Sequence, residues 1–184
     1  MCFNVQTGED GTFYAVYKIQ LVCSSNFQEK KMDNERIVSM LNGLIEISRD
    51  GAEGFKTCAD DADDPELKMY LRNRAQSCEE AVRDLSVEVR RYGGDPDTGG
   101  TATGTLHRMW VDLKTAMTNN DNLAVLEECE RGEAAAVMAY DNALREEMPF
   151  DLRALLDRQY EGVKRNHDRV RHLRDAARHG VKAI

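Results

Sequence analysis

Proline is almost missing from this chain, with three in 184 residues, and aromatic residues make up only 7%. Few prolines with 32% charged and 41% hydrophobic residues exclude a Pro-rich or disordered chain and suit helices with one apolar stripe and a solvated outer face. No run of about 18 apolar residues occurs, so no membrane-spanning helix is expected. No basic region precedes the short apolar stretch near the N-terminus, so no secretory signal is expected and the location implied is cytoplasmic. The cysteines, Cys2, Cys23, Cys58, Cys78 and Cys129, are odd in number and lack CxxC spacing, which reads as reduced thiols, not a disulfide framework or a zinc site. No Ser-His-Asp order, phosphate loop or nucleotide fingerprint is present, so hydrolase and kinase chemistry have no support.

Basic residues are outnumbered, 25 Lys and Arg against 33 Asp and Glu. The net charge of −8 argues against general affinity for nucleic acid or anionic membrane. The last stretch is the exception: Lys164, Arg165, Arg169, Arg171, Arg174, Arg178 and Lys182 stand against only Asp168 and Asp175. Cations near a helix C-terminus on a solvated face account for this. A DNA-binding reading rests on that stretch alone, and no binding at physiological salt is expected.

What is present is helical periodicity, enough for one domain with a proper core. Residues 1 to 31 stand apart, because Phe13 to Cys23 alternates aromatic and β-branched residues in the manner of a strand or hairpin. Asp33 or Asn34 is placed to cap a helix running to about Asp61. The expectation is a bundle over residues 32 to 184, with Met32 as the natural start and 1 to 31 an arm outside it. Ile37, Leu41, Leu44, Ile45, Ser48, Ala52, Phe55 and Ala59 form the first helix's stripe. An acidic turn ending in Pro65 starts a second helix to about Tyr92, with Leu67, Leu71, Cys78, Val82, Leu85 and Val89 facing in, and Gly93 and Gly94 stop it. A long connection follows, with a short helical segment from about Thr105 to Met117 carrying Leu106, Met109, Trp110 and Leu113. Helix three spans about Asn122 to Glu147, and Pro149 introduces helix four, to about His179.

Hairpin, long crossover, hairpin is the ferritin-like connectivity among four-helix bundles. The hairpins also resemble one another at an offset of 85 residues, pairing Leu41 with Leu126, Phe55 with Tyr140, Leu67 with Leu152, Lys68 with Arg153 and Leu71 with Leu156.

Carboxylates in an apolar stripe require explanation, because burying one unpaired is costly. Glu133 lies at the centre of the helix-three stripe made by Leu126, Cys129, Val137, Tyr140 and Leu144, with Glu130 one turn earlier. His167 falls between Val163 and Val170 on helix four, with Gln159 two turns before it; helix two presents Cys78 inward and Glu79 on the flank. Two-metal sites in bundles use a Glu from each of two helices and a Glu-x-x-His pair from each of the others. The offset would place such ligands at Ser48 and Glu133, Glu79 and Lys164, Val82 and His167, so only Glu133, Glu79 and His167 are of ligand type. The candidate metal residues are Glu133, His167, Glu79 and Glu130, for iron or manganese. The plainer reading makes Glu133 a protonated or hydrogen-bonded core carboxylate with His167 or Gln159 as partner, in which case Glu133→Gln should leave stability unchanged or raise it.

The stretch Leu41 to Phe55 (LNGLIEISRDGAEGF) resembles the start of an uncharacterised bacterial family of ferritin-like four-helix-bundle proteins, a domain of unknown function. So do Arg91 to Pro96 (RYGGDP), Leu126 to Glu133 (LEECERGE) and Lys164 to Val170 (KRNHDRV). The resemblance spans roughly residues 33 to 178 and implies a ferritin-like fold in a bacterial cytoplasmic protein, without an activity. Rubrerythrin-type domains are more distantly similar, and their Glu-x6-Tyr ligand spacing is met by Glu133 and Tyr140. Ser48 and Phe55 depart from it, and neither second helix keeps a complete Glu-x-x-His, which implies a degenerate metal site. The functional expectation is a non-enzymatic, stress-associated or interaction protein that forms homo-oligomers through a helical face; the competing one is a metal-binding oxidoreductase or an iron or manganese store.

Overall fold

The computed structural model describes residues 13–96 and 122–180, with residues 13–33 as backbone only. The described residues form four α-helices: α1 (Phe13–Asp61), α2 (Pro65–Arg91), α3 (Asn122–Leu144) and α4 (Phe150–Arg178). No strand occurs among the described residues, so the fold is all-α. The short segment expected near residues 105 to 117, with Leu106, Met109, Trp110 and Leu113, lies outside them.

One expectation is overturned. Phe13 to Cys23 is helical, not a strand or hairpin, and neither Asp33 nor Asn34 begins a helix. The residues from Phe13 to Asn42 contain no glycine or proline, so nothing interrupts propagation from the packed part of α1. Extending a formed helix costs far less than nucleating one, and this outweighs the modest strand preference of aromatic and β-branched residues.

The helix ends explain the turns. Asp64 caps α2 by accepting from Glu66 N at 2.8 Å and Leu67 N at 3.4 Å, and Pro65 follows at the position where its missing N–H costs nothing. At the other end Gly93 N donates to Arg90 O at 3.0 Å and Gly94 N to Val89 O at 2.9 Å. This Schellman arrangement needs the left-handed φ of +82° that Gly93 adopts. Gly94 then passes directly against Val38 of α1, and Asn42 Nδ2 ties the exit by donating to Asp95 O at 3.0 Å. Arg153 closes the second hairpin by donating to Leu144 O at 3.0 Å and Glu146 O at 2.9 Å.

Helix α1 packs on α2 and on α3, α3 packs on α4, and α2 touches α4 only lightly; no Cα of α2 comes within 8 Å of one in α3. The helices thus stand at the corners of a square with α2 and α3 on one diagonal. Two apolar clusters fill it. One gathers Phe55, Cys58, Leu67, Leu71, Leu126, Cys129, Val170 and Leu173; the other gathers Leu41, Leu44, Leu85, Val89, Tyr140, Ala143, Leu152, Leu156 and Val163. The 85-residue offset exchanges them: Phe55 becomes Tyr140, Cys58 Ala143, Leu67 Leu152, Leu71 Leu156, Leu41 Leu126, Leu44 Cys129 and Leu85 Val170. The weak sequence repeat is therefore an approximate two-fold axis through the middle of the bundle.

The close passage at Gly94 is directly testable. A Cβ there collides with the β-branched Val38 side chain, which has little rotamer freedom to yield. Gly94→Ala should lower unfolding stability by about 1–3 kcal/mol in urea titration, and Gly94→Ala combined with Val38→Ala should recover part of the loss. An unchanged midpoint would show that the passage is not tight.

Candidate functional site

Between the clusters lies a polar layer. Glu133 is 1% exposed and Arg74, reaching across the diagonal from α2, is 8% exposed. Arg74 Nε donates to Glu133 Oε1, and Nη2 donates to Oε2 at 3.2 Å. This two-pronged contact suits a planar guanidinium meeting a carboxylate. The guanidinium also lies over the Phe55 ring, 5.5 Å from its centroid.

Burial pushes the Glu133 carboxyl above its ordinary value, while Arg74, and to a lesser degree His167, pull it back. Burial likewise works against the Arg74 charge, but Glu133 more than offsets it and holds the proton more firmly than usual. Arginine does not give up its proton in proteins and both Glu133 oxygens accept from it, so the pair is ionic, and each member is the reason the other tolerates burial. Tyr70, Tyr140 and Cys78 beside the pair are neutral. Burial raises Tyr70 to about 12 and Tyr140 to about 12, and Cys78 to about 11. Tyr140 donates its hydroxyl proton to Gln159 Oε1 at 3.0 Å and makes a further hydrogen-bonding contact with Ser48.

The offset applies here as well. Phe55 beneath Arg74 corresponds to Tyr140 beside Gln159, and Glu133 corresponds to Ser48. One half of the layer is an ion pair; its symmetry mate is a neutral hydrogen-bonded set.

Of the four candidate metal residues, Glu133 alone occupies the centre. His167 is half-buried on α4, near enough to act electrostatically on Glu133. Glu79 lies on the flank of α2, where Lys56 Nζ holds it at 2.8 Å and keeps its carboxyl below the usual range. Glu130 is engaged by Arg174 of α4. Among the described residues no three His, Cys, Asp or Glu side chains form a group able to hold an ion. The register of α2 places Cys78 inward and Glu79 outward. Cys58, Cys78 and Cys129 are free and buried. The basic stretch of α4 is laced by carboxylates, with Arg178 on Glu127 at 2.7 Å and Lys164 on Glu161 at 2.6 Å.

The partner of Glu133 is Arg74, in place of the expected His167 or Gln159. Its signal was available: Leu67, Leu71, Arg74 and Cys78 continue the helical spacing of the α2 stripe without a gap, which makes Arg74 an inward cation. The expectation for Glu133→Gln reverses accordingly. Removing the carboxylate leaves a buried guanidinium without a counter-charge, so Glu133→Gln should cost about 3–5 kcal/mol in denaturant unfolding. Unchanged stability would refute an ionic pair.

A pH effect follows from Cys78. Its folded-state value lies above the ordinary 9.0, at about 11, so between those values the unfolded chain loses a proton that the folded chain retains. Stability attached to this thiol is complete below pH 9 and is lost as pH rises towards 11, by about 2–3 kcal/mol. The fall between pH 9 and 11 should be smaller by that amount in Cys78→Ala; equal slopes in both proteins would contradict it.

No curated protein matches the chain. A family model does, over residues 36–146, from the packed part of α1 through α3 and more than half of the chain. The match ends before α4, although α4 supplies Gln159 to the central layer. The chain belongs to the family described as a domain of unknown function, DUF2383.

Proposed function

We propose that this protein is a ferritin-like four-helix bundle whose central cation is supplied by its own Arg74, and that it acts as a structural or interaction protein, stress-associated, cytoplasmic and self-associating through a helical face, not as a metal enzyme. The square arrangement supports the ferritin-like reading: every touching pair of helices runs antiparallel and an approximate two-fold relates the hairpins. The observation that carries the rest is the two-pronged contact of Arg74 with Glu133. A ligating carboxylate must offer its lone pairs to the ion, whereas both oxygens of Glu133 are already engaged by a cation that cannot be titrated away.

The competing reading, an iron- or manganese-binding oxidoreductase or store, draws on the nearness of His167 to Glu133. It requires Arg74 to leave the carboxylate, and the other two candidates, Glu79 and Glu130, to leave Lys56 and Arg174.

The test is elemental analysis of protein purified without chelator or affinity tag, with Tm measured as Fe(II) or Mn(II) is added. Trace metal and an unmoved Tm are expected. About two equivalents of iron or manganese per chain, with a rise in Tm lost in His167→Ala, would overturn the proposal. Light scattering on the same sample should give a dimer or larger species; a monomer would remove the self-association.

A further inference from the structure

A cavity of about 380 Å³ opens beside the polar layer, where α2 and α4 barely touch. Its lining obeys the internal two-fold: Gly51 is matched by Ala136, Arg74 by Gln159 and Cys78 by Val163, each pair 85 residues apart. The axis therefore runs through the cavity. Its small residues keep the space open, and its mouth lies between exposed Glu80 and Asp84 of α2 and Arg165 of α4.

The two halves differ in one respect that matters for binding. On one side the planar Arg74 head meets the planar carboxylate of Glu133. On the other, Gln159 replaces the arginine and the far shorter Ser48 replaces the glutamate. Gln159 spends its oxygen on the Tyr140 hydroxyl, while its Nε2 is buried and has no hydrogen-bond partner. A buried amide donor left unmatched is costly, and the group that would match it by symmetry is a planar oxygen acceptor at the place a longer side chain at position 48 would fill.

We propose that this cavity binds a small uncharged molecule bearing a carboxamide, whose carbonyl accepts from Gln159 Nε2 and whose NH2 donates to Ser48 Oγ. The charge state follows from the surroundings. Arg74 is already balanced by Glu133, Arg165 is outnumbered at the mouth by Glu80 and Asp84, and Gln159, Ser48 and Tyr140 are neutral, so a carboxylate would enter with no counter-charge left for it. Apolar walls from Ile47, Ala81, Ala136 and Val163 suit a compact hydrocarbon or aromatic body, within the size range of small-molecule pockets. The site makes no use of a metal, so it stands or falls apart from the functional reading above.

The test is a 1H–15N titration with benzamide in metal-free buffer, using benzoate as the charged molecule of the same shape. Gly51, Gly132 and Gly162 line the cavity, and their amides report directly. Saturable shifts at these glycines are expected with benzamide, and binding of benzoate should be weaker by about tenfold or more. Gln159→Met keeps the length of the side chain but removes the donor, and should weaken benzamide by about tenfold. Ser48→Gln carries its own carboxamide into the space and should abolish binding while leaving the fold intact. Absent shifts, meaning that the space takes up water only, would overturn the proposal; so would benzoate binding as well as benzamide, or full affinity in Gln159→Met.

Discussion

Arg74 and Glu133 connect two helices whose backbones do not meet. α2 and α3 stand on a diagonal of the bundle, so the ion pair between them passes through the middle of the molecule. Each charge would be expensive to bury alone, and the strict geometry of guanidinium on carboxylate fixes the depth of both helices relative to the centre. The apolar clusters on either side are interchangeable under the internal two-fold, and apolar packing of that kind tolerates sliding by a turn better than a buried ion pair does. The polar layer is therefore the element that selects one register among similar ones, a role for which buried polar groups have precedent.

The two-fold also shows where the halves have diverged. Core positions keep their character under the offset, with Leu67, Leu71 and Leu41 matched by Leu152, Leu156 and Leu126. The departures concentrate in the central layer, where Arg74 and Glu133 are matched by Gln159 and Ser48. One half is saturated from within and the other retains an unmatched donor beside an open space. A charge balanced inside the fold, together with a neutral half left open, accounts for a bundle centre that is polar but carries no grouped set of metal ligands among the described residues.

Much of the fold was legible because long amphipathic helices announce themselves. The stripes of α1 to α4, the Asp64 and Pro65 start of α2 and its Gly93 stop follow from spacing and capping chemistry alone. The helical state of the N-terminal part of α1 is not legible in the sequence, since local strand preference weighs little against propagation of a helix already formed. In the centre, Glu133 stood out as a carboxylate in an apolar stripe. Its partner did not, because the long aliphatic stem of arginine normally carries the charge outward to solvent and the residue reads as surface. A buried anion calls for a metal ion or an organic cation, and the spacing of metal ligands points only to the first. Which of His167, Gln159 and Arg74 meets Glu133 depends on the relative rotation of three helices, and periodicity within each helix does not supply that angle.

The central claim is that Arg74 and Glu133 stabilise the fold as a pair. A double-mutant cycle measures this most directly, with Arg74→Met, Glu133→Leu and the double variant compared with the parent in urea unfolding. Each single change leaves the other charge buried and unpaired, so each should cost about 3–5 kcal/mol, and the double variant should be more stable than either. A coupling energy of about 2 kcal/mol or more is the predicted result; single costs that simply add, to within about 0.5 kcal/mol, would contradict the account.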